Sequence, residues 1–242
     1  MSKINYISIP FDGNAERKGC AKAPSFLYKY LRERFSDIEY AEKFKGKTNS
    51  DLEKFTSEVA KNPKIKKPFF IGGNHVISFS IFKSLIQTNP KLDFIYLDAH
   101  FDADDIKLFN SSVVKHSYNL SKPIILNIGS REKYQKDKPK FIDTVPAMQF
   151  SEKSLLKKLS KFKNPVHLSI DADVLEPAIM PGVSHPEAFG LTPRELHDSL
   201  KVIFAKCNVV SVDLAEFNPT VEKKYSLETF ASIVNLVSQF WR

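Results

Sequence analysis

The sequence predicts an α/β protein, a mainly parallel sheet flanked by helices, and three observations predict it. Short apolar runs alternate along the chain with longer amphipathic segments. Several of these runs are unbroken rather than alternating, as expected of strands covered on both faces. The order is strand, helix, strand, helix, which favours parallel pairing through helical crossovers.

The strands are read at 6–10, 68–71, 94–97, 124–128, 166–170 and 209–214. The helices are read at 24–35, 51–61, 75–87, 151–162, 193–205 and 224–240. Pro24 and Pro193 suit first-turn positions, and Thr192 can cap the helix behind Pro193. The segments 98–122 and 171–191 lack clear periodicity, and each begins where a strand ends. In open α/β sheets that is where sites form, and long loops there tend to be functional.

Composition narrows the class. A chain of 242 residues, 42% hydrophobic and 26% charged, fits one large domain over 1–242 with a sizeable core. No 18-residue apolar run is present, so no membrane-spanning helix is expected. Residues 1–6 lack the apolar stretch of a signal peptide. Cys20 and Cys207 form neither a disulfide framework nor a paired metal spacing, so a reducing cytoplasm is the expectation. The formal charge of +8 is spread along the chain, which reads as a solvated lysine-rich surface. Neither nucleic acid nor membrane is expected as a partner.

Three motifs carry the chemistry. In Asp98-Ala99-His100-Phe101-Asp102, residues at i, i+2 and i+4 of an extended chain point one way. Asp171-Ala172-Asp173 repeats the arrangement after a second apolar strand, and Gly72-Gly73-Asn74-His75 is a glycine turn between a third strand and a helix. Four carboxylates converging in one cleft repel one another unless protonated or neutralised. Two divalent cations remove the conflict. Oxygen ligands with one or two imidazoles suit Mn²⁺ better than structural zinc. A hydroxide shared by both ions would form near neutral pH and serve as nucleophile.

These residues resemble the ureohydrolase family of arginase, agmatinase, guanidinobutyrase and formimidoylglutamase. Gly72–His75 is similar to the family's Gly-Gly-Asp-His, and 98–102 to its Asp-Ala-His-x-Asp. The run 169–177 is similar to Ser-x-Asp-x-Asp-x-x-Asp-Pro, and 213–219 contains the family's Glu-x-Asn-Pro. Upstream, Pro10, Asp12, Arg17, Gly19 and Pro24 fit the opening pattern. The resemblance implies an arginase-like three-layer αβα sandwich, two Mn²⁺ per chain and a homo-oligomer, usually a trimer or hexamer. By carry-over, His75 and Asp102 bind one manganese, His100 and Asp173 the other, and Asp98 and Asp171 contact both. His116 falls where the family places a proton-shuttling histidine, and Glu216 where a carboxylate pairs with the substrate guanidinium. The implied activity is hydrolysis of the C–N bond of a small guanidino compound, agmatine- or arginine-like, releasing urea.

The chain departs from the pattern at three places. Asn74 replaces an aspartate, Glu176 replaces an aspartate, and 183–190 replaces a Thr-Gly-Thr-Pro and Gly-Gly-Leu segment. Asn110, Ser112 and His185 are read as substrate-binding candidates, and Arg131 and Lys133 as possible partners of an anionic tail. A formimidoylglutamase releasing formamide and a metal-binding but inactive member are the alternatives. A zinc deacylase on a related fold is disfavoured by the six ligand positions, since one metal needs fewer.

Overall fold

The computed structural model describes residues 4–33 and 40–241. Eight strands form one sheet: β1 (Ile4–Ile9), β2 (Tyr40–Lys43), β3 (Lys67–Gly72), β4 (Asp93–Leu97), β5 (Ile125–Ile128), β6 (Ile142–Val145), β7 (Pro165–Asp171) and β8 (Asn208–Ala215). Their spatial order is β2-β1-β3-β8-β7-β4-β5-β6, and every pairing is parallel. The last two strands return to the middle of the sheet. The four central strands β3, β8, β7 and β4 therefore end side by side, and loops after all four converge at one end.

Among the described residues, seven α-helices cover the two faces. Helices α2 (Asn49–Lys61), α3 (Val76–Leu85) and α4 (Val113–Ser121) pack on one side. Helices α1 (Ala23–Arg32), α5 (Glu152–Leu159), α6 (Pro193–Lys206) and α7 (Lys224–Phe240) pack on the other. Alternate strand residues feed two separate cores: Ile95 and Leu97 enter one, Phe94 and Tyr96 the other. This double burial is why the strands read as unbroken apolar runs. The architecture is the expected three-layer αβα sandwich.

Local chemistry sets the helix starts. Thr192 accepts from the Glu195 N–H at 3.2 Å while Glu195 returns a bond to the Thr192 N–H at 2.8 Å, and Pro193 opens the first turn. Three elements differ from expectation. Strands β2 and β6 lie at the two edges, where short segments with polar residues suffice. Helix α4 forms inside 98–122, a stretch read as aperiodic. It starts with two valines, weak helix formers, and is held by packing on α3. Positions 34–35 of the expected first helix lie outside the described residues. Among the described residues no helix is long and apolar enough to cross a membrane.

Candidate metal centre and cavity

Strand β4 ends at Leu97, and the Asp98 N–H still bonds the Ile128 carbonyl at 3.0 Å, which fixes the backbone at the strand's mouth. Asp98 is fully buried. Beyond it the chain turns rather than staying extended. Asp98 Oδ1 accepts from the His100 N–H at 2.6 Å, and Asp102 adopts φ 45°, a left-handed conformation that aspartate tolerates. The side chains of Asp98, His100 and Asp102 thus converge through a turn. Asp171 closes β7, and its Oδ1 accepts the Asp173 N–H at 2.8 Å. Asp173 Oδ1 accepts the Ala99 N–H at 3.1 Å, tying the two acidic loops together.

His75 arrives from the turn after β3. A Cβ on Gly73 would lie 1.9 Å from the Phe11 carbonyl oxygen, so only glycine permits this approach. Asn74 has a structural role here: its side-chain N–H donates to the Gly13 carbonyl at 2.7 Å, a bond that aspartate could not make.

His75 Nδ1 lies 2.7 Å from Asp102 Oδ2, 3.2 Å from Asp98 Oδ2 and 3.4 Å from Asp171 Oδ2. His100 Nδ1 lies 3.1 Å from Asp173 Oδ2 and 3.4 Å from Asp98 Oδ1. Two groups able to hold an ion result, His75 with Asp98 and Asp102, and Asp98 with His100 and Asp173. Asp98 belongs to both and presents one oxygen to each.

The donor set fits divalent cations. Asp98 Oδ2 is buried with no hydrogen-bond partner, a costly arrangement unless something else binds it. The far side of His75 is also arranged for coordination. Its Nε2 lies 3.0 Å from Ser169 Oγ, while Ser169 and Ser78 donate to Asp213 Oδ1 at 2.9 and 2.8 Å. Ser169 therefore accepts from Nε2–H, so Nδ1 is the atom that faces the carboxylates and could give its lone pair to a cation in place of its proton. His167 Nε2 lies 2.8 Å from Asp213 Oδ2, at an angle that leaves neither with a well-formed hydrogen bond.

Without cations the cluster manages its charge with protons. Burial, with repulsion from Asp173 and Asp98, pushes the Asp171 carboxyl well up. Burial and the Asp98 charge raise Asp102 to about 6. Burial opposes ionisation of Asp98, but contacts from His100 and His75 hold it below the usual carboxylate range. Burial likewise disfavours charging His75, yet the carboxylates of Asp102 and Asp98 beside it keep it well above its ordinary value.

Above the cluster is a cavity of about 450 Å³. His100, Asp102, Asp171 and Asp173 form part of its lining, with Glu16, Asp104, Asp137, Glu187 and Glu216 as further carboxylates; among the described residues no lysine or arginine lines it. Glu216 adopts φ 63°, an uncommon conformation for a residue with a long side chain. Its N–H bonds the Gly73 carbonyl at 2.9 Å, and its Oε1 accepts the His75 N–H at 2.7 Å. Burial pushes its carboxyl up to about 7, against the His75 N–H, which favours the charged form.

Asn110 and His185 line the cavity; Asn110 Oδ1 is buried without a partner, and His185 Nε2 lies 3.5 Å from Glu16. Ser112 and His116 are not brought there. Ser112 is fully buried and its hydroxyl is spent on the Lys107 and Phe109 carbonyls. His116 sits on α4, its Nε2 3.0 Å from the Ile106 carbonyl and its ring edge-on to Phe79. Arg131 and Lys133 are also occupied elsewhere. Arg131 is buried and donates only to backbone carbonyls, and Lys133 pairs with Glu187 at 2.6 Å. Motif reading gave no role to Ser169, Ser78, Asp213, Glu187 or Cys20. The serines and Cys20 carry no charge signature, and only their position behind His75 or Glu216 reveals them.

A Bacillus cereus agmatinase is 33% identical over 173 residues, 65% of this chain and 57% of that protein. The chain thus matches little more than half the length of that relative. A Bacillus subtilis arginase is 26% identical across 91% of this chain and 92% of its own. The solved proclavaminate amidino hydrolase of Streptomyces clavuligerus superposes with a TM-score of 0.86 at 18% identity, covering 100% of this chain and 92% of that one. The model of the arginase family matches residues 2–240, and the chain belongs to that family.

Proposed function

We propose that the protein is an amidinohydrolase that uses two divalent cations, Mn²⁺ by the chemistry of the donors, to hydrolyse a small guanidino compound and release urea. The observation that carries this reading is the pair of histidine–aspartate groups sharing Asp98 at the floor of a cavity whose wall holds Glu216. His75 and Asp102 would hold one ion, His100 and Asp173 the other, with Asp98 and Asp171 reaching both. Bound cations would acidify a water near neutral pH and neutralise the carboxylates.

Glu216 offers a planar carboxylate to the planar guanidinium, a match that favours paired hydrogen bonds and the ionised form. Water adds to the guanidinium carbon and the C–N bond to the tail breaks. The tail nitrogen leaves with a proton that the water gave up. Among the histidines of the cavity lining, His185 stands outside the metal groups. We read it as the imidazole that returns that proton.

The tail is cationic. Glu16, Asp104 and Asp137 line the cavity beyond the cluster, and among the described residues no lysine or arginine lines it to meet a carboxylate tail. This favours an agmatine-like substrate and disfavours formimidoylglutamate. Urea release by the Mn²⁺-loaded protein, measured on arginine, agmatine, guanidinobutyrate and guanidinopropionate, tests the reading, with formamide release from formimidoylglutamate alongside. Agmatine should give the highest kcat/KM, and chelation should abolish turnover. Preference for an anionic tail would overturn the tail assignment, and silence on every compound with metal bound would overturn the enzyme.

A further inference from the structure

Cys20 is fully buried in the turn that leads into α1, and its place is tightly set. The Asp12 carboxylate accepts the Gly19 and Ala21 N–H groups on either side of it, both at 2.8 Å. Its Sγ lies 3.4 Å from Glu216 Oε2 and 3.6 Å from Ser184 Oγ.

The direction of these contacts follows from what each atom can do. Asn218 Oδ1 accepts from the Thr220 N–H at 3.1 Å, which orients the amide so that Nδ2 faces Ser184 Oγ at 3.0 Å. Nδ2 can only donate, so Ser184 accepts and its own proton is free for Cys20 Sγ. The thiol in turn donates to Glu216 Oε2. Burial and the neighbouring Glu216 charge push the thiol's ionisation far above its ordinary range, so the S–H persists. A one-way chain therefore runs Asn218, Ser184, Cys20, Glu216, and successive bonds of this kind polarise one another.

We propose that Cys20 is a positioning residue whose S–H fixes the rotation of the Glu216 carboxylate for guanidinium binding. The inference rests on the proposed role of Glu216. The His75 N–H holds Oε1 and the thiol holds Oε2, so the carboxylate plane is fixed from both oxygens and its remaining lone pairs are left for a ligand. A carboxylate held by one donor alone could pivot about its last torsion and meet the guanidinium fork with one oxygen at a time.

The test uses the Mn²⁺-loaded full chain. In a Cys207→Ser background, where Cys20 is the one remaining thiol, the infrared S–H stretch should lie below that of a thiol without an acceptor. It should move back in Glu216→Ala. A band that stays put overturns the contact. Cys20→Ala should raise KM for the guanidino substrate by about three- to tenfold, the size of a weak hydrogen bond, with little change in kcat. Cys20→Ser keeps a donor and should restore KM to within about twofold. Equal KM in wild type and Cys20→Ala overturns the proposal while leaving the enzyme reading intact. So does a loss that serine fails to rescue, which would mark a packing role. A wild-type protein that neither binds nor hydrolyses any guanidino compound overturns the reading of Glu216, and the role of Cys20 with it.

Discussion

Single atoms decide how the cluster divides its ligands. Asp98 presents Oδ2 to His75 Nδ1 at 3.2 Å and Oδ1 to His100 Nδ1 at 3.4 Å. Asp98→Ala should therefore abolish uptake of both ions, whereas Asp102→Ala or Asp173→Ala should remove one. Metal content after gel filtration checks this, and two ions retained by Asp98→Ala would show that it does not bridge. The histidines separate in the same way. His185→Ala should lower kcat by about 10²-fold, a typical loss for an acid–base group. His116→Ala, on α4, should leave kcat within about twofold, because its Nε2 is engaged with the Ile106 carbonyl away from the cavity. A large loss in His116→Ala would mean that the start of α4 rearranges when substrate binds.

At the scale of elements, the segment 183–190 is held in place by one buried cation. Arg131 Nη1 donates to the Gly129 and Val174 carbonyls, Nη2 to those of Asp173, Leu175 and Glu187, and Nε to those of Glu187 and Ala188. It thus joins the loop bearing Asp173 to the cavity wall. Gly190 completes the join, since a Cβ there would lie 2.4 Å from the Leu175 carbonyl carbon. The Glu176 carboxylate accepts the Gly190 N–H at 2.8 Å, a reach suited to its extra methylene. Arg131→Met should cost about 3 kcal/mol or more in urea unfolding, because several buried carbonyls lose their donors together. A loss under about 1 kcal/mol would mean that water replaces the guanidinium with little penalty. Arg131 also shows where sequence reading stops. Its charge suggested a ligand for an anionic tail, and nothing local says that backbone carbonyls from three segments surround it. The central strands and the acidic motifs were legible because their signals are contiguous in the chain. Edge strand β2 and helix α4 were not, because their stability comes from neighbours distant in sequence.

For the whole molecule, the buried carboxylate–histidine cluster couples folding to pH. In the metal-free protein Asp102, Asp171 and Glu216 titrate above ordinary carboxylates, chiefly through burial. The native state therefore holds more protons than the unfolded chain from about pH 4 upward, and stability falls as pH rises through about 6 and 7. His75 and His100, also raised, continue the trend: their stabilising protons are fully present below about pH 6.5 and become harder to keep above it. Asp98, titrating below its ordinary value, acts oppositely but only in the acid range. A bound cation replaces these protons, so uptake must release them and strengthen with pH. Since a ligand of the native state stabilises it by mass action, the gap between the holo and metal-free melting midpoints should widen from pH 6 to pH 8. The metal-free midpoint should fall over the same interval. Differential scanning calorimetry at the two pH values, with proton release followed in weak buffer, measures both arms. An equal gap at the two pH values, with no protons released, would mean that cations bind somewhere other than this carboxylate cluster.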